Sequence, residues 1–213
     1  MSTVIGIMGE SGAGKTTSLR NLNPKETYII DADKKGLSWK GWKAQYNKDN
    51  LNYFKGSDAN TIRAIIKNVD EKAPHIKTII VDTINGIMVD DEMRRSKEKS
   101  FDKWADLAAC IWDLVNEAHM YRDDLTIIFI AHSQTERDEN GYMWTRIKTS
   151  GKKLDKIVLE SKFTTVLLAK CVDGRYIFET QSNNSTAKSP MGAFESKEID
   201  NDIVEVIKAL QDY

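Results

Sequence analysis

Cysteine, proline and histidine are scarce in this chain, and neither sign of charge dominates it. The 213 residues hold two cysteines, three prolines and three histidines, with 31 lysines and arginines against 32 aspartates and glutamates. Cys110 falls in a helical pattern and Cys171 at the end of an apolar run, with no C-x-x-C pair and no Cys/His cluster. That excludes a disulfide framework and a zinc site, and fits two structural thiols in a reducing cytosol. The net charge of -1 excludes a global basic field, so nucleic acid would have to be met by local patches. Long apolar runs are missing as well. The longest, such as LTIIFIA, have strand length, and no basic segment precedes the apolar start. No membrane span or export signal is expected, and the protein reads as cytoplasmic. Pro24, Pro74 and Pro190 each fall at an element boundary, and no repeat, low-complexity tract or linker divides the chain. Residues 1–213 are therefore expected to form a single domain.

What is present is an alternation of strand and helix patterns. Apolar, β-branched runs predict strands at 3–8, 27–31, 51–54, 77–82, 125–132, 163–171 and 175–180. Helical spacing falls at 15–22, 59–72, 86–97, 101–121, 151–160 and 199–211, and Asn140-Gly141 marks a hairpin. The pattern implies an α/β fold: a mostly parallel twisted sheet with helices on both faces and antiparallel edge strands toward the C-terminus. Ligand should sit at the C-terminal strand edge.

At the first such edge the chain reads GESGAGKT, from Gly9 to Thr16, which fits G-x-x-x-x-G-K-[ST] at every fixed position. Strand, glycine-rich turn and helix is the setting in which backbone N–H groups turn inward around phosphate oxygens. Gly9, Glu10, Ser11, Gly12, Ala13, Gly14, Lys15, Thr16 and Thr17 are the expected nucleotide contacts. Lys15 supplies a point charge for the β and γ phosphates, and the Thr16 hydroxyl suits Mg2+. The loop names the ligand class and leaves the reaction open. A second signature, KTIIVDTIN, brings Asp82 to the tip of a buried strand, where the magnesium shell needs a carboxylate. Its neighbour is Thr83 rather than Glu, so a water-orienting carboxylate must come from elsewhere. YIIDAD offers Asp31 and Asp33, which could orient water or merely seat a turn. His132 and Gln134 follow the apolar run at 127–131.

Taken together, GESGAGKTT, YIIDAD and TIIVDT resemble the RecA-like P-loop NTPase core. In that core the second strand ends I-D-A-E and its Glu activates water, so the resemblance puts Asp33, one methylene shorter, in that role. A polar residue at the strand tip that follows 127–131 senses the γ-phosphate in the RecA-like core, and the resemblance makes His132 and Gln134 candidates for that role. STAKSPMG, from Ser185 to Gly192, resembles the segment that RecA-like oligomers insert into a neighbour's ATP site. Lys188 would be its finger, while Pro190 stands where many relatives carry an Arg. Across most of its length the chain looks like the small phage-encoded RecA-like ATPases of single-strand annealing and recombination, often labelled nucleotide-binding or AAA-domain proteins.

The resemblance implies Mg2+-dependent ATP hydrolysis, a homo-oligomer, single-stranded DNA as ligand, and a recombination or single-strand-binding protein as a possible partner. Arg94, Arg95, Tyr142, Trp144, Arg146, Lys148, Lys152 and Lys153 would then face DNA. The second group interleaves aromatic and basic residues, as a base-stacking platform does and as an ordinary hairpin also can. GLSWKGWKAQY, from 36 to 46, has similar composition and fits better as an anchor on the core. Two rivals stay open. A small-molecule kinase shares the loop but wants an arginine-rich lid, for which Arg94 and Arg95 are the nearest candidates. A nucleotide-gated binding module with little turnover would explain the short Asp33.

Overall fold

The computed structural model describes residues 1–99, 102–137, 139–149 and 158–213. Its centre is a sheet of the order β3-β2-β4-β5-β1-β7-β8-β9, with β6 attached to β5. The strands are β1 (Thr3–Gly9), β2 (Thr27–Asp31), β3 (Tyr53–Lys55), β4 (Thr78–Asp82) and β5 (Thr126–Arg137), followed by β6 (Met143–Ile147), β7 (Thr165–Val172), β8 (Arg175–Glu179) and β9 (Glu198–Asp200). From β3 to β7 all pairings are parallel, while β7–β8, β8–β9 and β5–β6 are antiparallel. The expected α/β architecture is therefore the observed one.

Alternation along each central strand divides the core into two layers, because successive side chains point to opposite faces. Val4, Met8, Ile79, Val81, Ile127 and Phe129 pack on one side, beneath α2 (Ala59–Lys72), α3 (Ile84–Arg94) and α4 (Asp102–Ala118). Ile5, Ile7, Ile80, Ile128 and Ile130 face the other, under α1 (Trp42–Gln45) and α5 (Ile203–Ala209). In the 36–46 segment, Trp39 meets Tyr46 edge-on at 6.0 Å and Trp42 leans on Tyr53 at 5.4 Å. These tryptophans anchor the core.

Several elements depart from expectation. The helix expected over 15–22 shrinks to a 3-10 helix, Thr17–Leu19. The Ser18 hydroxyl donates to the Lys15 carbonyl at 2.6 Å, and the Leu19 amide bonds to Thr16 instead, 3.2 Å away. A side chain competing for the carbonyl that an α-helix needs explains the tighter turn. Strand β5 does not stop at His132 but runs on to Arg137, paired with β6 from Ser133 to Ile147 outward. Polar side chains on a hairpin that leaves the sheet read as loop. Near the C-terminus the helix expected from 199 begins only at Ile203, where the Asp202 side chain caps it, and Glu198–Asp200 forms an edge strand instead. Most of the helix expected over 151–160 lies outside the described residues, and Leu159–Lys162 is a 3-10 turn.

Candidate nucleotide and metal site

Sheet register decides which strand tips meet. β5 pairs with β1 on one side and β4 on the other, so His132 lies beside Gly9 and Ile130 beside Asp82. On the far side of β4, Asp82 pairs with Asp31 of β2. The phosphate loop, the β5 tip, Asp82 and the DAD turn thus line one edge in that order.

Gly12 and Gly14 have positive φ, the conformation that lets the loop curl. Lys15 is buried, and its ammonium donates to the carbonyls of Gly9, 2.8 Å away, and Glu10, 2.6 Å away. Burial pushes it down to about 8, with the Asp82 charge offsetting part of the effect. Because only a short 3-10 helix follows the loop, the anion cradle rests on loop N–H groups rather than on a long helix dipole.

Thr16 and Asp82, expected together as magnesium ligands, do meet: Thr16 Oγ1 donates to Asp82 Oδ2 at 2.7 Å. Asp82 is 1% exposed, and its Oδ1 is buried without a hydrogen-bond partner among the described residues. Burial drives this carboxyl up, against the pull of Lys35 and Thr16. An orphaned buried carboxylate oxygen beside a hydroxyl fits Mg2+, which takes one or two protein oxygens and completes its shell with phosphates and water. Thr16 and Asp82 are the residues that would hold it.

The two aspartates of the DAD turn have different partners. Asp31 accepts from Tyr53 Oη at 2.6 Å and from the Gly36 amide at 2.8 Å, which makes it the post of the turn. Asp33 instead faces α3, its Oδ1 accepting from Thr83 Oγ1 at 2.8 Å and its Oδ2 from Lys35 Nζ at 2.7 Å. Burial raises the Asp33 carboxyl, but the bonds from Lys35 and Thr83 outweigh it and leave it below its usual range. It is ionised at neutral pH.

His132 is half-buried, and its backbone N–H donates to Asn85 Oδ1 at 2.7 Å. Burial, then the charge of Lys15, lowers its ring below the usual imidazole value. Gln134 is turned along the hairpin, donating to Glu136 Oε1 at 2.7 Å. Of the two sensing candidates, register favours His132. Lys188 is placed elsewhere. Its backbone exchanges hydrogen bonds with Val166 at 2.8 and 2.9 Å, and Val166 lies beside Gly6. That is three residues, about 10 Å, short of the loop end of the sheet.

Among the DNA candidates, Arg146 departs from expectation: it is 5% exposed, over the Trp144 ring at 5.3 Å, and within 4 Å of Glu136 and Glu160, at 3.6 and 3.9 Å. A guanidinium paired inside the hairpin is not a surface phosphate contact. Tyr142 and Lys148 are exposed and Trp144 is half-buried. Arg94 pairs with Asp58 and Asp91, and Arg95 with Asp91, Glu98 and Asp106. Lys152 and Lys153 lie outside the described residues.

Three site residues escape a reading of motifs. Thr83 caps α3, accepting from the Gly86 amide at 3.1 Å while it holds Asp33. Asn85 bridges the His132 amide to the Lys148 carbonyl, and Lys35 bridges the aspartates. A polar T-x-N after a strand-end Asp was the one signal available for the first two.

A parallel sheet that stations a phosphate loop across one strand from a buried carboxylate defines a P-loop nucleotide-binding protein. Family comparison narrows the class: a family described as an AAA domain matches residues 1–191, and the chain belongs to it. No curated protein matches the chain. No helix among the described residues is long and apolar enough to cross a membrane.

Proposed function

We propose that this protein is a Mg2+-dependent ATPase of RecA-like mechanism that assembles into an oligomer and acts on single-stranded DNA in recombination or annealing. One observation carries the hydrolytic reading. Hydrogen bonds from Thr16 to Asp82 and from Thr83, the next residue in the chain, to Asp33 link the phosphate loop to an ionised carboxylate in the turn that follows β2. Bound Mg2+ supplies charge for the phosphates. Lys15 binds the phosphate oxygens, Thr16 and Asp82 orient the ion, and Asp33 accepts a hydrogen bond from the attacking water and directs it.

The insertion of β5 between β1 and β4 supports this reading over a small-molecule kinase, because it gives the site a polar strand tip at His132 between loop and carboxylate. Arg94 and Arg95, which a kinase would need in a phosphoryl-clamping lid, are engaged in ion pairs with Asp58 at the start of α2 and Asp106 of α4. DNA binding is supported by the hairpin, since β5 runs directly from His132 into the strand that pairs with Trp144. A nucleotide-gated module is the second reading, favoured by Thr83 and Lys35 already clasping Asp33.

The test is ATP turnover measured with no DNA, single-stranded DNA and duplex DNA, with nucleoside acceptors as a kinase control. Turnover stimulated by single strands is expected, and Asp33→Asn should bind ATP yet turn over about 10^2-fold more slowly. Phosphorylated nucleoside would establish the kinase instead. ATP binding without multiple turnover would establish the module, and turnover indifferent to DNA would remove the DNA role.

A further inference from the structure

Lys35 carries no motif, yet its ammonium faces two carboxylates of the site. Its ammonium lies 2.7 Å from Asp33 Oδ2 and 3.7 Å from Asp82 Oδ1. The second of these is the same buried oxygen that has no hydrogen-bond partner among the described residues. Thr16 covers the other oxygen of Asp82, so Lys35 stands on the side left open to a cation. The backbone that presents it is built for the purpose. Asp31, buried at the end of β2, receives the Lys35 and Gly36 amides and the Tyr53 hydroxyl, at 3.3, 2.8 and 2.6 Å. Lys15 is turned onto the carbonyls of Gly9 and Glu10, and its ammonium leaves this place to Lys35.

We propose that Lys35 is an internal counter-cation that holds the metal position of Asp82 against a free divalent ion and yields it to a metal–nucleotide complex. The inference rests on the magnesium–nucleotide reading of the site and specifies how metal and nucleotide are coupled there. A free ion approaching Asp82 meets an ammonium within 4 Å of the same oxygen, and like charges at that distance repel. Expelling Lys35 into water also strips Asp33 of its ionic partner. A metal–triphosphate complex arrives with excess negative charge and offers the displaced ammonium phosphate oxygens. Metal therefore binds well only together with nucleotide.

The experiment titrates Mn2+, a paramagnetic stand-in for Mg2+, into the full chain, with and without a non-hydrolysable ATP analogue, and counts bound ion by electron paramagnetic resonance. The native protein should bind Mn2+ weakly alone and tightly with the analogue. Lys35→Ala should bind Mn2+ alone at least about fivefold more tightly, the effect of removing one unit charge at this distance even in a water-like dielectric. Its gap between the two conditions should narrow, whereas Lys35→Arg, which keeps the charge, should keep the gap. Lys35→Gln provides the same test should Lys35→Ala fail to fold. Unchanged or weaker binding of Mn2+ alone in the charge-removing variant would overturn the role of Lys35. Absence of Mn2+ binding by the native protein even with the analogue would instead overturn the metal–nucleotide reading, and the inference with it.

Discussion

Lys15 has to be charged to do its work and is held where charge is disfavoured. Burial brings its ammonium down to about 8 from 10.5, with Asp82 offsetting part of the shift. Phosphate oxygens favour the ammonium form, so nucleotide should bind best below pH 8 and take up a proton above it. Affinity should fall by up to about tenfold per pH unit above 8. Calorimetric titrations at pH 7 and 9, in buffers of different ionisation enthalpy, measure both effects. Equal affinity at the two values with no proton uptake would contradict this account, and Lys15→Ala should lose both the affinity and its pH dependence. The nucleotide-free protein behaves in the opposite sense. Between about 8 and 10.5 the unfolded chain binds the additional proton, so stability should rise with pH across that window.

At the scale of elements, the site depends on the approach of the DAD turn to the first turn of α3. Gly86 permits it: a Cβ there would lie 2.5 Å from Asp33 Oδ1 and 2.8 Å from the Ala32 carbonyl. The second neighbour is backbone and cannot swing aside. Ala would favour the helix by about 1 kcal/mol over Gly, while overpacking costs about 1 to 3 kcal/mol, so the clash prevails. Gly86→Ala is therefore expected to lower stability by up to about 2 kcal/mol in denaturant titration. It should also reduce ATP turnover more than ATP binding, because Asp33 moves while the phosphate loop does not. Gain of stability with unchanged turnover would show that the turn and helix are not held together here. The same helix start carries Asn85 to the His132 amide and the Lys148 carbonyl, joining this contact to the hairpin.

The proposed oligomer makes its prediction at the scale of the whole molecule. Lys188 is fixed to Val166, about 10 Å short of the loop end of its own sheet, so it serves a phosphate site best if that site belongs to a neighbour. Lys188→Ala subunits keep an intact loop, and Lys15→Ala subunits keep an intact finger. Each variant alone should be nearly inactive, and mixing them should restore partial ATPase activity wherever intact loop meets intact finger. A mixture that co-assembles by light scattering and stays inactive would sink the trans assignment. Near-normal turnover by Lys188→Ala alone would make the residue an ordinary strand-edge lysine.

Sequence alone determined the parts that rest on local chemistry. The glycine-rich loop, the apolar runs ending at Asp31 and Asp82, and the helical period over 59–72 depend on residues close in the chain, and β1, β2, β4 and α2 follow them closely. Only the tertiary structure decided which tips share an edge, because strand order is set by packing across the sheet and leaves no trace in spacing. That order put β5 between loop and carboxylate, assigned Asp31 to the turn and Asp33 to α3, and buried Arg146 against Glu136 and Glu160. It also brought Lys35, an unremarked lysine in a turn, to the open oxygen of Asp82, since a charge acquires its partners from distance in space rather than from its place in the chain.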